Sequence, residues 1–222
     1  MARELSYTQK VERSIIKTYR KEIWNPFVEA CQNYHLINGG DRIVVQLDGT
    51  AQTLLVALCL NQLKRVSDTD FEPYICAPEN TDIPLDLPVK RALSEQTDAD
   101  KYAVSDNMTD AVCSVLDSIL FKGTVTALLP KENCKGKTLV RPLFCVSESS
   151  VKKWAHFNSL DMPLATNPCN SAENEAKQLL ETLKKDNPEI EHNIFKSIHN
   201  VKLDTFTGYN ADGANHSFLE KF

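Results

Sequence analysis

Six consecutive residues, Asp48-Gly49-Thr50-Ala51-Gln52-Thr53, have the placement of an anion-binding loop. They follow an apolar run, Arg42-Ile43-Val44-Val45-Gln46-Leu47, and lead into a second one that starts Leu54-Leu55. A strand, a glycine turn and a helix in that order aim backbone N–H groups and the positive end of a helix dipole at the loop. Nucleotide-binding α/β proteins hold phosphate there. The side chains do not complete that chemistry. Gly49 is the loop's one glycine, there is no lysine, and the one acid, Asp48, puts negative charge where phosphates would sit. At an effective dielectric near 20, unit charges about 4 Å apart interact by about 4 kcal/mol. Losing a cation and gaining an anion therefore weakens triphosphate binding severely.

The elements that must position this loop read as a parallel α/β unit. Arg42–Leu47 has little polar alternation, the pattern of a strand buried on both faces. A helix follows from about Thr50 to Arg65, and Phe71–Ala77 is the next parallel strand. Residues 9–35 read as a helix, because Ile16, Tyr19, Ile23, Phe27 and Cys31 repeat at three- and four-residue steps. Pro26 kinks it or starts a second helix capped by Asn25. The stretch 78–100 is proline-rich, with room for one brief helix at 89–96. Lys101–Ser105 is a short strand and Thr109–Lys122 a helix. Thr124–Leu129 and Thr138–Cys145 are expected to pair across a loop at 131–137. Glu148–Asn158, Ser171–Lys185 and Glu189–Val201 are helices, the middle one capped at Asn170-Ser171.

Composition narrows the function classes. The 222 residues fit one domain, or one domain with an appendage, and 42% hydrophobic content supports a real core. The expected segments are an N-terminal helical part (1–40), an α/β domain (41–146) and a helical C-terminal part with a tail (147–222), packed as one unit. No apolar run nears the roughly 20 residues that span a bilayer. The first residues do not form a secretory signal, which makes the cytoplasm the expected location. Seven cysteines, an odd number without a C-x-x-C pair, read as reduced, mostly buried thiols rather than a metal set. A net charge of −5 argues against nucleic acid as a partner. Arg13, Lys17, Arg20 and Lys21 lie at helical spacing, either as a local basic patch or as a solvated helix face. The histidines form no ligand set, and no nucleophile triad is suggested.

Several longer segments carry a resemblance. They are Arg13-Ser14-Ile15-Ile16-Lys17 with Tyr19-Arg20-Lys21-Glu22-Ile23-Trp24, Leu128-Leu129-Pro130-Lys131, Leu139-Val140-Arg141-Pro142-Leu143, Asn187-Pro188 with Ile190-Glu191, Asn200-Val201 with Leu203-Asp204-Thr205, and His216-Ser217-Phe218-Leu219. Through them the chain resembles the PP-loop ATP pyrophosphatases, in particular the tRNA 2-thiocytidine synthetase-like branch. The resemblance implies an adenine nucleotide alpha hydrolase-like (Rossmann-like) parallel sheet with helices on both faces. That sheet has five parallel strands in the family, and four are visible here.

The same resemblance shows what has changed. The family's S-G-G-K-D-S falls on Asp48, Gly49, Thr50, Ala51, Gln52 and Thr53, of which only Gly49 matches. Its G-H-H-x-D-D falls on Ser105, Asp106, Asn107, Met108, Thr109 and Asp110, of which only Asp110 matches. Asp110 is then a remnant magnesium-proximal acid or a first-turn helix acid. Thiolating relatives hold an iron–sulfur cluster, but the region between Ala77 and Lys101 is too short for the usual C-x-x-C, and Cys169 has no partner in sequence. The expected function is a degenerate, inactive PP-loop protein that keeps nucleotide or small-anion binding through Asp48, Gly49, Thr50, Gln52 and Thr53. The alternatives are an active ATP- and magnesium-dependent RNA-modifying or adenylating enzyme, and a non-enzymatic interaction module. An open edge on strand 71–77 further predicts a homodimer or a covering loop from residues 78–100.

Overall fold

The computed structural model describes residues 4–90, 99–134, 136–165, 171–211 and 213–221. They divide into two compact units, Met1–Lys177 and Gln178–Phe222. The first begins with helix α1 (Tyr7–Ile16), a π-helical turn (Arg20–Trp24) and helix α2 (Asn25–Asn33). Strand β1 (Arg42–Gln46), helix α3 (Ala51–Val66), strands β2 (Glu72–Cys76) and β3 (Lys101–Ala103) and helix α4 (Met108–Phe121) follow. Strands β4 (Lys131–Cys134) and β5 (Lys137–Val140) and helix α5 (Glu148–Phe157) complete the ordered elements up to α6 (Ser171–Asp186), which spans the boundary between the units. The second unit adds helix α7 (Ile190–His199) and a hairpin of β6 (Gly208–Ala211) and β7 (Ala214–Ser217). The boundary lies within α6, so α5 goes with the sheet rather than with the C-terminal segment into which the sequence grouped it.

The sheet has the order β2-β1-β3-β5-β4. Four strands are parallel, as the sequence implied, and β4 adds a fifth that is antiparallel to β5. The chain moves outward from β1 to β2 in one direction and from β3 to β5 in the other. Right-handed crossovers then put α3 and α4 on opposite faces. β1 has neighbours on both sides, and Ile43, Val44 and Val45 are at most 2% exposed, which accounts for its unbroken apolar run. In α3, all ten residues from Ala51 to Leu60 are buried. A helix apolar around its whole circumference has no solvent face, and α3 packs against α1 and α5.

Three local expectations are corrected. The first helix breaks at Lys17–Tyr19, ahead of Pro26. The Tyr19 N–H reaches the Ser14 carbonyl (2.8 Å), an i to i+5 step that starts the π-helical turn. Pro26 lies in the first turn of α2, where a missing N–H is tolerated. Residues 124–129 are not a strand, because the backbone of Thr126 is held by the Ser118 hydroxyl of α4 through both its N–H (3.1 Å) and its carbonyl (3.0 Å). The hairpin instead forms within 131–140, the stretch read partly as loop, and turns at Gly136 with φ +80°. The helix expected at 89–96 falls mostly outside the described residues, as does the Asn170 cap.

The covering loop over β2 is present. Lys90 donates to the Ile75 carbonyl (3.0 Å) and accepts from the Ala77 N–H (3.1 Å), making a parallel bridge on the outer edge. Glu72 turns its N–H inward to Asp41 (2.8 Å), so its neighbour Pro73 faces outward, where it has no N–H to offer. This edge therefore gives no reason of its own for a second copy.

A buried polar knot ties α1 to α5. The Ser14 hydroxyl donates to the Val11 carbonyl (2.7 Å) and accepts from Trp154 Nε1 (3.1 Å) and Asn158 Nδ2 (3.0 Å). Trp154 is fully buried, so its indole N–H has no access to water. Ser14→Ala leaves buried donors with a lost acceptor and should cost about 1–3 kcal/mol, read as a lower urea midpoint with unchanged slope. A midpoint equal to wild type would show that the knot carries no stability.

Candidate functional site

In an open α/β sheet the ligand crevice lies beyond the carboxyl ends of the strands, where the strand order reverses. Here that point is between β1 and β3. The loop after β1 holds Asp48, Gly49 and Thr50, and the loop after β3 holds Ser105, Asp106 and Asn107. The fold thus brings both sequence-predicted motifs to the same end of the sheet.

The first loop is closed on itself. Gly49 has φ +88°, a left-handed turn that an L side chain rarely adopts. Asp48 folds back over the start of α3, and its Oδ1 accepts from the Thr50 N–H (2.9 Å), the Thr50 hydroxyl (2.7 Å) and the Thr53 hydroxyl (2.7 Å). Thr50 caps the helix by accepting from the Thr53 N–H (3.4 Å). The next amide, that of Ala51, donates to the Pro163 carbonyl (3.0 Å). Gln52, 1% exposed, accepts from the Ala165 N–H through Oε1 (2.8 Å). The Thr50, Thr53 and Ala51 amides are here taken by a carboxylate, a hydroxyl and a carbonyl of the same chain. The strap Pro163–Ala165 carries no signal in the sequence, since it lies more than 100 residues from the loop it touches.

The second loop is also internally engaged. Asn107 caps α4, with its Oδ1 accepting from the Thr109 N–H (2.9 Å), while Asp110 accepts the Asn107 N–H (2.8 Å) to complete a capping box. Asp110 therefore sits as the first-turn helix acid. Burial, with the Asp106 and Glu148 charges, pushes its carboxyl up to about 6. Asp106 pairs with Arg141 Nε (2.9 Å), whose Nη1 donates to the Leu129 carbonyl (2.7 Å) and whose Nη2 pairs with Glu132 (2.7 Å). Ser105, partly exposed, lies just ahead of this pair.

One group was not singled out from sequence. Glu148, at the start of α5, is 6% exposed and pairs with Lys177 (2.7 Å) and Lys152 (2.9 Å), and its N–H donates to the Thr109 hydroxyl (3.1 Å). Burial opposes its charge, but the two lysines outweigh burial and hold the carboxyl below its ordinary value. A cavity of about 1070 Å³ opens elsewhere, among α1, the end of α3, the start of β2 and the 84–88 loop. None of the loop residues lines it; of its three cations, Arg65 pairs with Glu12 (2.8 Å) and Lys64 with Asp70 (2.9 Å) and Glu72 (3.3 Å), and Arg13 is the third.

No protein-family model matches the chain. Curated relatives do. The chain is 21% identical to a tRNA-cytidine(32) 2-sulfurtransferase of Coxiella burnetii, over 87% of its own length and 92% of that protein. It is 24% identical to the corresponding protein of Geobacter metallireducens, over 84% and 91%. The chain is a distant homologue of the tRNA-cytidine(32) 2-sulfurtransferases of the PP-loop ATP pyrophosphatase family. A shorter stretch of 108 residues reaches 30% identity with a Francisella tularensis homologue. The fold of this homologue matches that of the U34-tRNA thiolase NcsA from Methanococcus maripaludis, solved with its [4Fe-4S] cluster, with a TM-score of 0.52, 14% identity and coverage of 92% of this chain and 81% of that one.

Among the described residues no three His, Cys, Asp or Glu side chains converge as metal ligands. Burial pushes Cys31 up to about 12 and Cys145 up to about 11, and raises Cys59 and Cys76 as well, as expected of thiols inside a core. Cys169 lies outside the described residues.

The raised Asp110 carboxyl makes a signed prediction. Its folded value, about 6, exceeds the unfolded one, about 3.9. The folded state then binds the proton more tightly, so this group's contribution is full below pH 4 and is lost as pH rises through 6. The loss should be about 3 kcal/mol, and Asp110→Asn should flatten the pH dependence of stability across that window. Identical pH profiles for the variant and wild type would contradict the assignment.

Proposed function

We propose that this chain is a PP-loop scaffold, related to tRNA 2-thiolation enzymes, that has lost ATP-dependent catalysis and serves as a binding protein. One observation carries the reading: the Asp48 carboxylate accepts three hydrogen bonds at the start of α3, from Thr50 N, Thr50 Oγ1 and Thr53 Oγ1, at 2.7–2.9 Å. A carboxylate in that position supplies the negative charge that the helix N-terminus favours. A phosphate would have to displace it and then meet Asp48 as a like charge.

The positions that resemble the family's lysine and acid support the same reading. Ala51 is fully buried and its N–H is used by Pro163, while the Gln52 side chain is used by Ala165. No cation is left in the loop to neutralise a triphosphate. The relatives act on tRNA by name, but the −5 net charge of this chain gives an RNA partner little general attraction. We therefore assign neither sulfur transfer nor adenylation to it.

Wild-type protein should release no pyrophosphate from Mg-ATP, with or without tRNA, and should show no thermal shift with Mg-ATP or pyrophosphate. A ligand at 100 times its dissociation constant stabilises by about 2.7 kcal/mol, or about 5–10 °C for a chain of this size. Asp48→Ser uncovers the Thr50 N–H and the two threonine hydroxyls, so a pyrophosphate-dependent rise in Tm is expected for the variant alone. ATP turnover by wild-type protein would overturn the proposal.

A further inference from the structure

The break after α1 sets Tyr19, which has basic neighbours in sequence, against the basic stretch of α5. Lys17, Arg20 and Lys21 flank Tyr19, and Lys152, Lys153 and His156 lie on the last turns of α5. Tyr19 joins them. Its hydroxyl donates to the Lys153 carbonyl (2.9 Å), and its ring meets Phe157 edge to face at 5.6 Å and 70°. Tyr19, Lys152, Lys153, His156 and Phe157 line a shallow notch of about 460 Å³. Phe157 is 57% exposed, an uncommon position for a ring already held by a neighbour. Among the described residues, Lys17, Arg20, Lys21 and Lys153 have no ion-pair partner; Lys152 pairs with Glu148, and Glu22 stands near Tyr19.

We propose that this face docks a short acidic segment of a partner protein, with one apolar side chain seated against Phe157 and Tyr19 and flanking carboxylates on the surrounding cations. The notch is walled by ring carbons and lysine methylenes, which suit an aliphatic or aromatic side chain. A nucleobase would bring polar edges that need both donors and acceptors, whereas the rim offers mainly ammonium donors. The positive charge is also local. Beyond one helix break and two turns of α5 the chain is acidic on balance, so a segment a few residues long gains here what a long polyanion would lose elsewhere. None of this involves the loop at residues 48–53, and the proposal stands or falls separately from the loss of catalysis.

The test is fluorescence anisotropy with the full chain and a labelled peptide of alternating glutamate and leucine. Controls are the same peptide with alanine for leucine and a labelled oligouridylate of similar charge. The glutamate–leucine peptide should bind, the alanine peptide should bind at least about tenfold more weakly, and 0.5 M salt should weaken both. Phe157→Ala and Lys153→Glu alter exposed side chains, and each should weaken the peptide by about tenfold or more. No binding at millimolar concentration, or equal binding by both variants, overturns the proposal. So does oligouridylate binding tighter than the peptide with the same dependence on Phe157 and Lys153, which would assign the face to nucleic acid. Conversion of a dimer to a monomer by Phe157→Ala would assign it to self-association and overturn the proposal equally.

Discussion

A helix buried on every side must satisfy its first N–H groups from within the chain, and α3 does so with the Asp48 carboxylate. The first four amides of any helix lack intrahelical partners. In a nucleotide enzyme the phosphates supply the missing acceptors when ligand is bound, and water supplies them otherwise. In this chain Asp48, Pro163 and Thr50 supply acceptors for the Thr50, Ala51 and Thr53 amides. The strap Pro163–Ala165 is fixed as a consequence, because it is joined to Ala51 and Gln52 by one hydrogen bond each. The start of α5 is then anchored from the other side, through Glu148 to Thr109 and Lys177.

The second loop follows the same logic with different groups. Asp110, the family-like acid, is used to close a capping box, and Asp106 is used to hold Arg141. Arg141 in turn reaches the Leu129 carbonyl while its own N–H reaches the Pro130 carbonyl (2.9 Å). The two segments that carry the middle of the family resemblance, 128–131 and 139–143, are therefore bound to one another. They meet at a half-buried ionic junction in which the buried Arg141 guanidinium is shared by Asp106 and Glu132. Scaffold residues and loop residues are held differently in this chain: the former by packing, and the latter by hydrogen bonds within and between the loops.

What could be read from the sequence divides along physical lines. β1 and α3 were legible because burial on both faces leaves a continuous apolar run, and α4 because its stripe and the cap at Asn107 agree. The order β1-α3-β2 followed from the spacing. The strand error at 124–129 came from a side chain, since Ser118 captures the backbone of Thr126 from a different element and no local pattern reports that. The π-helical turn was hidden for a similar reason: Pro26 is the conspicuous breaker in the sequence, but the break is set by the Ser14–Tyr19 hydrogen bond seven residues earlier. At the site, the altered charges of Asp48, Ala51 and Gln52 could be read directly. Their partners could not, because Pro163 and Ala165 are joined to them only by the fold.

The hydrogen bonds of the loop also constrain which side chains positions 51 and 52 can hold. Ala51 is fully buried and its amide is already spent, so a lysine there has no room until the strap at 163–165 moves. Moving the strap withdraws the Ala165 N–H from Gln52, whose buried amide then lacks its acceptor role. An acid at position 52 could not remain in that buried place, because an isolated carboxylate there would be strongly penalised. Ala51 and Gln52 are thus held by the strap, and Asp48 by Thr50 and Thr53. The loop and the strap form one hydrogen-bonded arrangement, and single replacements at Ala51 or Gln52 toward the family motif would break its bonds to Pro163 and Ala165 before they made a phosphate site.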